Sequence, residues 1–162
     1  MTYVIDIAVE VASFTQQTGF TDTVAVIREA TVKSIILLAP KVSYIFLHLL
    51  LSLESHLHLT QLNDRIINND LLRHLAKMQM DPEASIRTNT CILIGRLGPS
   101  LGYNTKRKVL VPAFSRALKD PFVHARVAGL MAFMASVDVF DMEELAGKVV
   151  PNIAGSMIDK EK

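Results

Sequence analysis

Basic side chains form the group with the clearest capacity for binding chemistry in this sequence. The cluster consists of Lys106, Arg107, Lys108, Arg116 and Lys119. All five lie on or next to a predicted amphipathic helix over 105–118, and cations grouped in this way can bind RNA phosphates with an affinity that falls steeply with salt. Leu110 and Val111 follow Arg107 by three and four residues, so the same cluster also fits the solvated polar rim of an amphipathic helix. No aromatic stacking platform accompanies the cluster, which favours the solvated rim.

The sequence patterns of enzymes and of cofactor sites are absent. There is no G-x-G-x-x-G loop, no H-R-D motif and no D-F-G motif, so we expect no phosphoryl transfer, no cofactor and no enzymatic activity. The glycines Gly95, Gly98 and Gly102 fit close packing and a helix stop better than phosphate binding. His56 and His58 would share a face only on a strand, and no acidic or cysteine partner lies at ligand spacing, so no metal site is predicted.

The composition indicates one packed domain in a reducing compartment. The chain has 162 residues, of which 50% are apolar and 20% charged, and its net charge of +1 gives no global attraction to nucleic acid or membranes. The single cysteine, Cys91, lies in the apolar run CILIG without a neighbouring base, so we expect an inert thiol and neither a disulfide framework nor a zinc site. No basic segment followed by an apolar core begins the chain, and a cytosolic protein is therefore the default expectation.

An aspartate precedes an arginine by six residues three times in the chain. The pairs are Asp22 and Arg28, Asp81 and Arg87, and Asp120 and Arg126. We expect each aspartate to cap a helix, a contribution of ~1 kcal/mol, with Pro82 in the first helical position of the central copy. We also expect each arginine to reach an aspartate of an adjacent unit, forming a ladder. These six residues are therefore assigned to structure.

The segment 81–119 is one complete copy of a repeated unit. Its first helix should bury Ile86, Thr90, Leu93, Ile94 and Leu97. Gly98-Pro99 should end that helix, with glycine in the left-handed cap conformation, and a second amphipathic helix follows. Asp81, Asp120 and Asp159 follow one another with a constant period of 39. A period close to ~40 with two helices per unit is typical of HEAT and armadillo arrays, so the predicted fold is all-α, an α-solenoid of about three HEAT-type helix pairs.

The same spacing of apolar residues predicts helices on both sides of the central unit. The helix over 24–39 should end at Pro40 and should direct one face inward: Ile27, Thr31, Ser34, Ile35 and Leu38. The helix over 120–137 should bury a face of smaller residues, which indicates closer helix approach: Ala125, Gly129, Ala132, Phe133 and Ser136. The helices predicted to lead their units are 65–79, 105–118 and 142–157. Residues 17–162 thus form the array, and 1–16, with strand-like alternation, is an atypical N-terminal segment.

An apolar insertion, 42–61, interrupts the array. The interval from Asp22 to Asp81 is longer than one period by the length of this segment, so its removal restores the period of 39. His48 and Glu54 argue against a membrane span of ~20 apolar residues. We hypothesise an intervening sequence translated in frame, because Val42-Ser43 is encodable by a donor-like GTNAGY and Thr60-Gln61 by a sequence ending in CAG. A true loop insertion is the alternative, since long surface insertions cost little closure entropy. Transcript reads joining codon 41 to codon 62 would support the first, and uniform reads through the segment would contradict it.

Several phrases of the sequence resemble a known family. The segments are RTNTCILIGRLGP, VLVPAFSRALKDPFVHARVAGLMAFMA and INNDLLRHLAKMQ, and the phrases AFSRALKDPF and DPEASIRTNT within this region are the most distinctive. They resemble the HEAT-repeat region of the N-terminal kinase-like protein family, the SCY-like pseudokinases, over roughly 17–41 and 62–162. Residues 1–16 and the insertion depart from the family pattern.

The resemblance implies a non-catalytic scaffold or adaptor for protein–protein interaction. Family members combine a degenerate kinase domain, which this chain lacks, with HEAT repeats and a variable tail. The implied partners are coatomer and other proteins of Golgi to endoplasmic reticulum vesicle traffic, and the implied location is cytoplasmic, peripheral to Golgi membranes. The alternative implied function is a cytoplasmic adaptor for tRNA export, binding tRNA through the basic helix face. Neither implies an integral membrane span or a metal.

Overall fold

The computed structural model of the chain describes residues 18–50 and 71–161, with the side chains of these residues except those of 38–50 and Ser100. The predicted atypical segment 1–16 therefore lies outside the described residues. So do His56, His58 and the second half of the insertion 42–61.

The described residues include seven α-helices and no β-strand, as predicted for an all-α chain. The helices are α1 Ala25–Leu50, α2 Leu72–Met78, α3 Ala84–Leu97, α4 Tyr103–Leu118, α5 Val123–Ala135, α6 Met142–Glu144 and α7 Val150–Ala154. Residues 18–20, ahead of α1, are also helical. A π-helical turn, Leu145–Val149, joins the last two helices, and short 3₁₀ segments follow α3, α5 and α7.

The helices are arranged in two layers, which makes the fold the predicted α-solenoid. In the inner layer α3 lies between α1 and α5 and packs against both. In the outer layer α2 contacts α3, α4 contacts α3 and α5, and α7 contacts α4. Each unit therefore buries its apolar face mainly against neighbouring units. Within the described residues, no helix combines the length and the apolar character needed to cross a membrane.

The inward faces predicted for α3 and α5 are confirmed. All five predicted residues of α3 are buried, and so are those of α5 and its C-cap residue Ser136. Phe114 of α4 meets Phe133 of α5 edge to face, with ring centroids 5.1 Å apart. Gly129 is needed for the close approach of these two helices, because a Cβ at this position would lie 3.0 Å from Cβ of Ala117 and 3.2 Å from the backbone nitrogen of Leu118.

The inward face predicted for α1 is partly wrong. Ile35 is buried as predicted, but Ile27 and Ser34 are exposed, and Val32 and Ile36 are buried in their place. The prediction placed Ile27 and Ser34 at the positions that Ile86 and Leu93 hold in α3. An interior helix of the stack is covered on two sides, whereas α1 is covered by α3 on one side and is the first long helix of the described part.

Helix α1 does not end at Pro40, contrary to the prediction. Its backbone continues helically to Leu50, through the first nine residues of the insertion. A proline removes the hydrogen bond to the carbonyl four residues earlier, here that of Ile36. Arg96 of α3 donates from Nη1 to this carbonyl oxygen at 3.3 Å. The orphaned acceptor is thus satisfied from the neighbouring helix, and the helix tolerates the proline.

Gly98 ends α3 in a different way from the one predicted. Its φ of −44° is right-handed, and the chain continues into the 3₁₀ turn Gly98–Ser100. The N–H of Gly98 donates to the carbonyl oxygens of Gly95 and Ile94, which closes the last turn without a left-handed residue. Pro99 within the 3₁₀ segment then prevents the α-helix from continuing.

Candidate interaction surface

Each junction between the described units contains a bidentate arginine–aspartate pair. Nε of Arg87 donates to Oδ2 of Asp120 at 2.7 Å, and Nη2 donates to Oδ1 at 2.9 Å. Arg28 and Asp81 form the same two bonds at 2.7 and 3.1 Å. Arg126 and Asp159 repeat them at 2.5 and 2.9 Å. Two parallel charge-assisted hydrogen bonds fix orientation as well as distance, so each pair sets how one inner helix lies on the next.

Each arginine of the ladder also holds the turn of its own unit. Nη1 of Arg87 donates to the carbonyl oxygens of Asp81 and Pro82, at 2.8 and 2.9 Å. The corresponding atoms of Arg28 and Arg126 bond the two carbonyls at the start of their own units. One guanidinium thus ties the turn before its own helix to the aspartate before the next helix.

The aspartates are not the helix caps that the sequence predicted. The N-cap residue of α3 is Glu83, whose side chain makes no capping bond, and Pro82 precedes the helix. Oδ1 of Asp81 instead accepts the backbone N–H of Glu83 at 3.0 Å, and Oδ1 of Asp120 accepts that of Phe122 at 2.9 Å. This Asx turn keeps the carboxylate ahead of the helix, where both its oxygens can face the arginine of the preceding unit.

The arginines lower the pKa of their aspartate partners. The hydrogen bond from Arg87 holds the pKa of Asp120 below its ordinary value of 3.8, against the opposing effect of burial. For Asp81, burial acts to raise the pKa, but the hydrogen bonds from Arg28 and from the N–H of Glu83 outweigh it, so the pKa is also lowered. Both aspartates are therefore charged at neutral pH.

At the first junction, Arg28 and Asp81 form an arginine–aspartate pair whose two residues lie on either side of the predicted insertion. Arg28 and Asp81 are 53 residues apart in sequence, whereas the pairs at the two later junctions are 33 residues apart. The difference equals the length of the predicted insertion 42–61, and the pair at the first junction has the same bidentate form as the others.

Arg107, predicted to belong to a basic surface, holds α4 against α6. Its Nε donates to Oε1 of Glu144 at 2.9 Å, and its Nη1 donates to the hydroxyl of Tyr103 at 3.0 Å. The side chain of Glu144 is only 2% exposed. Arg107 therefore neutralises a buried carboxylate, while its own side chain is 39% exposed.

Arg116 links the outer helices α2 and α4. Its Nη1 donates to Oε1 of the buried Gln79 at 2.7 Å, and Nε2 of Gln79 donates to the carbonyl oxygen of Ala113 at 3.1 Å. Gln79 is the C-cap residue of α2. The two hydrogen bonds of one side chain therefore fix the end of α2 on α4.

The exposed cations of the outer layer include two that the prediction missed. Lys108, Arg116 and Lys119 are exposed on α4 or its C-cap, and Arg73 and Lys77 are exposed on α2. Lys106 is only partly exposed. Neither α2 nor α4 contains an aspartate or a glutamate. Lys77 precedes Arg116 by one full period, so the repeat itself predicts that the two cations occupy equivalent positions on neighbouring units.

An aromatic side chain also accompanies the cluster, contrary to the prediction. Tyr103 begins α4 and is 60% exposed, and the guanidinium of Arg107 lies 5.5 Å from its ring centroid. The spacing of four residues between the tyrosine and the arginine is the sequence signal that was overlooked.

The remaining candidates occupy packed positions. Cys91 is fully buried, and burial raises the pKa of its thiol to about 12, which matches an inert role. Cβ atoms at Gly95 and Gly98 would meet Ala132, Leu110 and Ser136 at ordinary contact distances, so both glycines lie at helix contacts. Among the residues that the structure describes, no three histidine, cysteine or acidic side chains are placed to hold a metal ion.

The sequence and the fold of this chain were compared with those of known proteins. No family model matches the chain. The probable inactive serine/threonine-protein kinase scy1 of Dictyostelium discoideum is 38% identical over 144 residues, which is 89% of this chain and 15% of the relative. The crystal structure of Cex1p superposes with a TM-score of 0.68 at 32% identity over 88% of this chain and 24% of that structure. Over 89% of its length the chain is similar to a member of the SCY-like pseudokinases.

Other relatives agree with the SCY-like assignment. Cytoplasmic export protein 1 of Saccharomyces cerevisiae is 34% identical over 61 residues, which is 38% of this chain and 8% of that protein. The chain spans about 15% of the length of the SCY-like relative from Dictyostelium, whose description is that of an inactive kinase. The described part of this chain is a HEAT-type helical array.

Proposed function

We propose that the chain is a scaffold segment of a SCY-like pseudokinase, presenting its helical surface to proteins of coatomer-linked vesicle traffic in the cytoplasm, at the periphery of Golgi membranes. The observation that carries the proposal is the outer layer, in which α2 and α4 expose cations and contain no carboxylate. The partner expected from this surface is acidic. Complementary charge of this kind steers encounter and selects partners more than it adds affinity.

The rigidity of the outer layer supports a scaffold role. Gln79 joins α2 to α4, and Arg107 joins α4 to α6 through the buried carboxylate of Glu144. The ladder fixes the inner helices beneath them. A surface that is held in place before binding loses little conformational entropy when a partner docks.

A second candidate is an adaptor of cytoplasmic tRNA export that binds tRNA through the basic face. Helices α2 and α4 favour this candidate too, because they contain basic residues and no aspartate or glutamate. Phosphate contacts require exposed cations and tolerate few carboxylates. One relative is named cytoplasmic export protein 1, and its similarity covers 38% of this chain. The predicted signature of tRNA binding is an affinity that falls linearly with the logarithm of salt concentration.

A paired experiment separates the two candidates. Coatomer capture and tRNA binding are measured with the wild-type chain, with Lys108→Gln/Lys119→Gln, and with Lys33→Gln/Lys148→Gln as a control of equal net charge. Lys33 and Lys148 lie outside the basic face and are 56% and 51% exposed. Because they pair with Glu29 at 2.6 Å and with Glu144 at 3.9 Å, circular dichroism melting verifies that the control remains folded. Coatomer capture that the first variant loses and the control keeps supports the vesicle-traffic scaffold. Salt-dependent tRNA binding with the same pattern supports the adaptor. If the wild-type chain binds neither, both candidates are wrong.

A further inference from the structure

We propose that Tyr103 is an acceptor site for a protein tyrosine kinase, and that Arg107 holds the phosphate once it is attached. The inference goes beyond the proposed scaffold function, because it concerns how the last unit of the array is regulated rather than what it binds. Tyr103 is the first residue of α4, and it is the tyrosine whose side chain the structure describes.

The hydroxyl of Tyr103 is accessible to an enzyme. The side chain is 60% exposed, and the chain neighbours on both sides of the tyrosine are exposed as well. The main chain ahead of it is extended, with ψ of 144° at Leu101 and 151° at Gly102. Extended segments can dock in a cleft of another protein through their main chain. The N-terminal half of the acceptor segment therefore already has such a conformation.

The modification is a phosphoryl transfer from ATP, catalysed by a separate kinase. A bond forms between Oη of Tyr103 and the γ-phosphorus, and the bond from that phosphorus to the β,γ-bridging oxygen breaks. ADP leaves, and the hydroxyl proton passes to the catalytic aspartate of the kinase. The hydroxyl of Tyr103 accepts its hydrogen bond from Arg107, so this bond does not use the proton that must leave.

The guanidinium of Arg107 already contacts the acceptor oxygen. Its Nη1 donates to the hydroxyl of Tyr103 at 3.0 Å, and its Cζ lies 5.5 Å from the ring centroid. The arginine side chain is 39% exposed, so there is room beside it for a phosphate. Phosphate oxygens accept charge-assisted hydrogen bonds, which are stronger than a bond to a neutral hydroxyl. Phosphorylation should therefore strengthen a contact that the unmodified chain already makes.

The phosphate and the buried carboxylate of Glu144 would use different nitrogens of Arg107. Nε donates to Oε1 of Glu144 at 2.9 Å, whereas Nη1 faces Tyr103. Arg87 of the ladder uses the same division, with Nε on an aspartate and Nη1 on two backbone carbonyls. One guanidinium can thus hold both anions. Because Glu144 belongs to α6, the phosphate should tighten the attachment of α6 and the π-helical turn to α4.

The surrounding charges favour ordering by a phosphate over disruption. Helix α4 has no acidic residue in its first turn, and its N-terminus carries the positive end of the helix dipole. Lys106 follows Tyr103 by three residues and is partly exposed. Nζ of Lys148 lies 3.9 Å from Oε1 of Glu144, so the carboxylate beyond Arg107 has a second cation. A phosphate orders a segment where arginine and a helix N-terminus receive it, and disrupts one beside unscreened carboxylates.

The first part of the test asks whether the folded chain is an acceptor. The full chain is incubated with ATP and a panel of tyrosine kinase domains, and mass spectrometry locates the phosphate. Tyr103→Phe is the control, because it keeps the ring and removes the acceptor oxygen, and circular dichroism melting verifies that both proteins are folded. We expect phosphate on Tyr103 of the wild-type chain. Absence of phosphate at this position in the folded chain overturns the proposal.

The second part tests the role of Arg107, by ³¹P NMR and by hydrogen exchange of the phosphorylated chain. The matched variant is Arg107→Gln/Glu144→Gln, which removes the guanidinium and leaves no unpaired buried charge. In the wild-type chain the guanidinium should lower the second pKa of the phosphate from its ordinary value of about 6. Phosphorylation should also slow exchange of the amides of 142–149 by about tenfold, as one added charge-assisted hydrogen bond would. The double variant should show neither effect.

Three outcomes would overturn the assignment of Arg107 as the residue that holds the phosphate. The first is a second pKa of the phosphate that is equal in the wild-type chain and in Arg107→Gln/Glu144→Gln. The second is slower exchange of 142–149 after phosphorylation in both proteins, which would show that the phosphate acts without the guanidinium. The third is exchange of 142–149 that phosphorylation of the wild-type chain leaves unchanged or makes faster, because the phosphate would then add nothing to the attachment of α6 or would draw Arg107 away from Glu144.

Discussion

Arg87 of α3 and Asp120 before α5 are 33 residues apart in sequence and are joined by two hydrogen bonds of 2.7 and 2.9 Å. The arginine side chain is 16% exposed and that of the aspartate 9%. The pair therefore joins two successive inner helices in a setting mostly shielded from water. Equivalent arginine–aspartate pairs occur at the junctions before and after it, so this salt bridge joins the inner helices at every described junction of the array.

A double-mutant cycle measures the coupling energy between Arg87 and Asp120. Arg87→Gln, Asp120→Asn and the double variant are compared with the wild-type chain by urea denaturation. We expect a coupling energy of about 1–3 kcal/mol, because each single change leaves a charged partner unpaired in a poorly solvated site. A coupling energy near zero would show that the pair is incidental to stacking.

Stability should fall in acid through the ladder aspartates. The pKa of Asp120 in the folded chain lies below the ordinary 3.8 that it has when unfolded. Its contribution is therefore complete above 3.8 and is lost as the pH falls through the lower, folded value. Denaturation of the wild-type chain and of Asp120→Asn between about pH 5 and about pH 2 checks this. The stability difference between the two proteins should shrink as the pH falls, and a constant difference would contradict the assignment.

Gly129→Ala should destabilise the contact of α4 with α5. The added Cβ would lie 3.0 Å from Cβ of Ala117 and 3.2 Å from the backbone nitrogen of Leu118. Because backbone cannot yield as a flexible side chain does, we expect a loss of about 1–3 kcal/mol in the free energy of unfolding. Gly147→Ala is the matched control, since a Cβ there meets nothing within 4 Å. Equal stability of the two variants would show that the helices separate at little cost.

The sequence predicted those parts of the fold that repeat. The buried faces of α3 and α5 follow from helical periodicity, and the partners of Arg87 and Arg126 follow from the spacing of the aspartates. Both properties are local or recur at a fixed interval, so one chain contains several copies of the same signal.

Features that occur once were not predicted. Arg107 pairs with Glu144, in another unit, and nothing in the period links these two positions. In α1, the carbonyl of Ile36 that Pro40 leaves without its helical donor accepts a hydrogen bond from Arg96, a residue of α3. Tertiary packing determines such contacts, and neither helix propensity nor the repeat period gives information about it.

The basic surface was predicted in part for the same reason. Adjacent residues such as Lys106 and Arg107 are conspicuous in the sequence, but adjacent residues point to different sides of a helix. Lys77 and Arg116 are distant in sequence yet occupy neighbouring outer helices joined by Gln79. The surface becomes visible only when the units are stacked.

Lysine footprinting shows whether partners of this scaffold cover the outer face of α2 and α4. The chain is acetylated with an amine-reactive reagent, alone and with coatomer or tRNA bound, and each lysine is quantified by mass spectrometry. Lys77, Lys108 and Lys119 are exposed on that face, whereas Lys33 lies on the inner helix α1 and Lys148 in the π-helical turn. A bound partner should protect the first three lysines and leave Lys33 and Lys148 reactive. Protection of Lys33 with unchanged labelling of Lys77, Lys108 and Lys119 would contradict it.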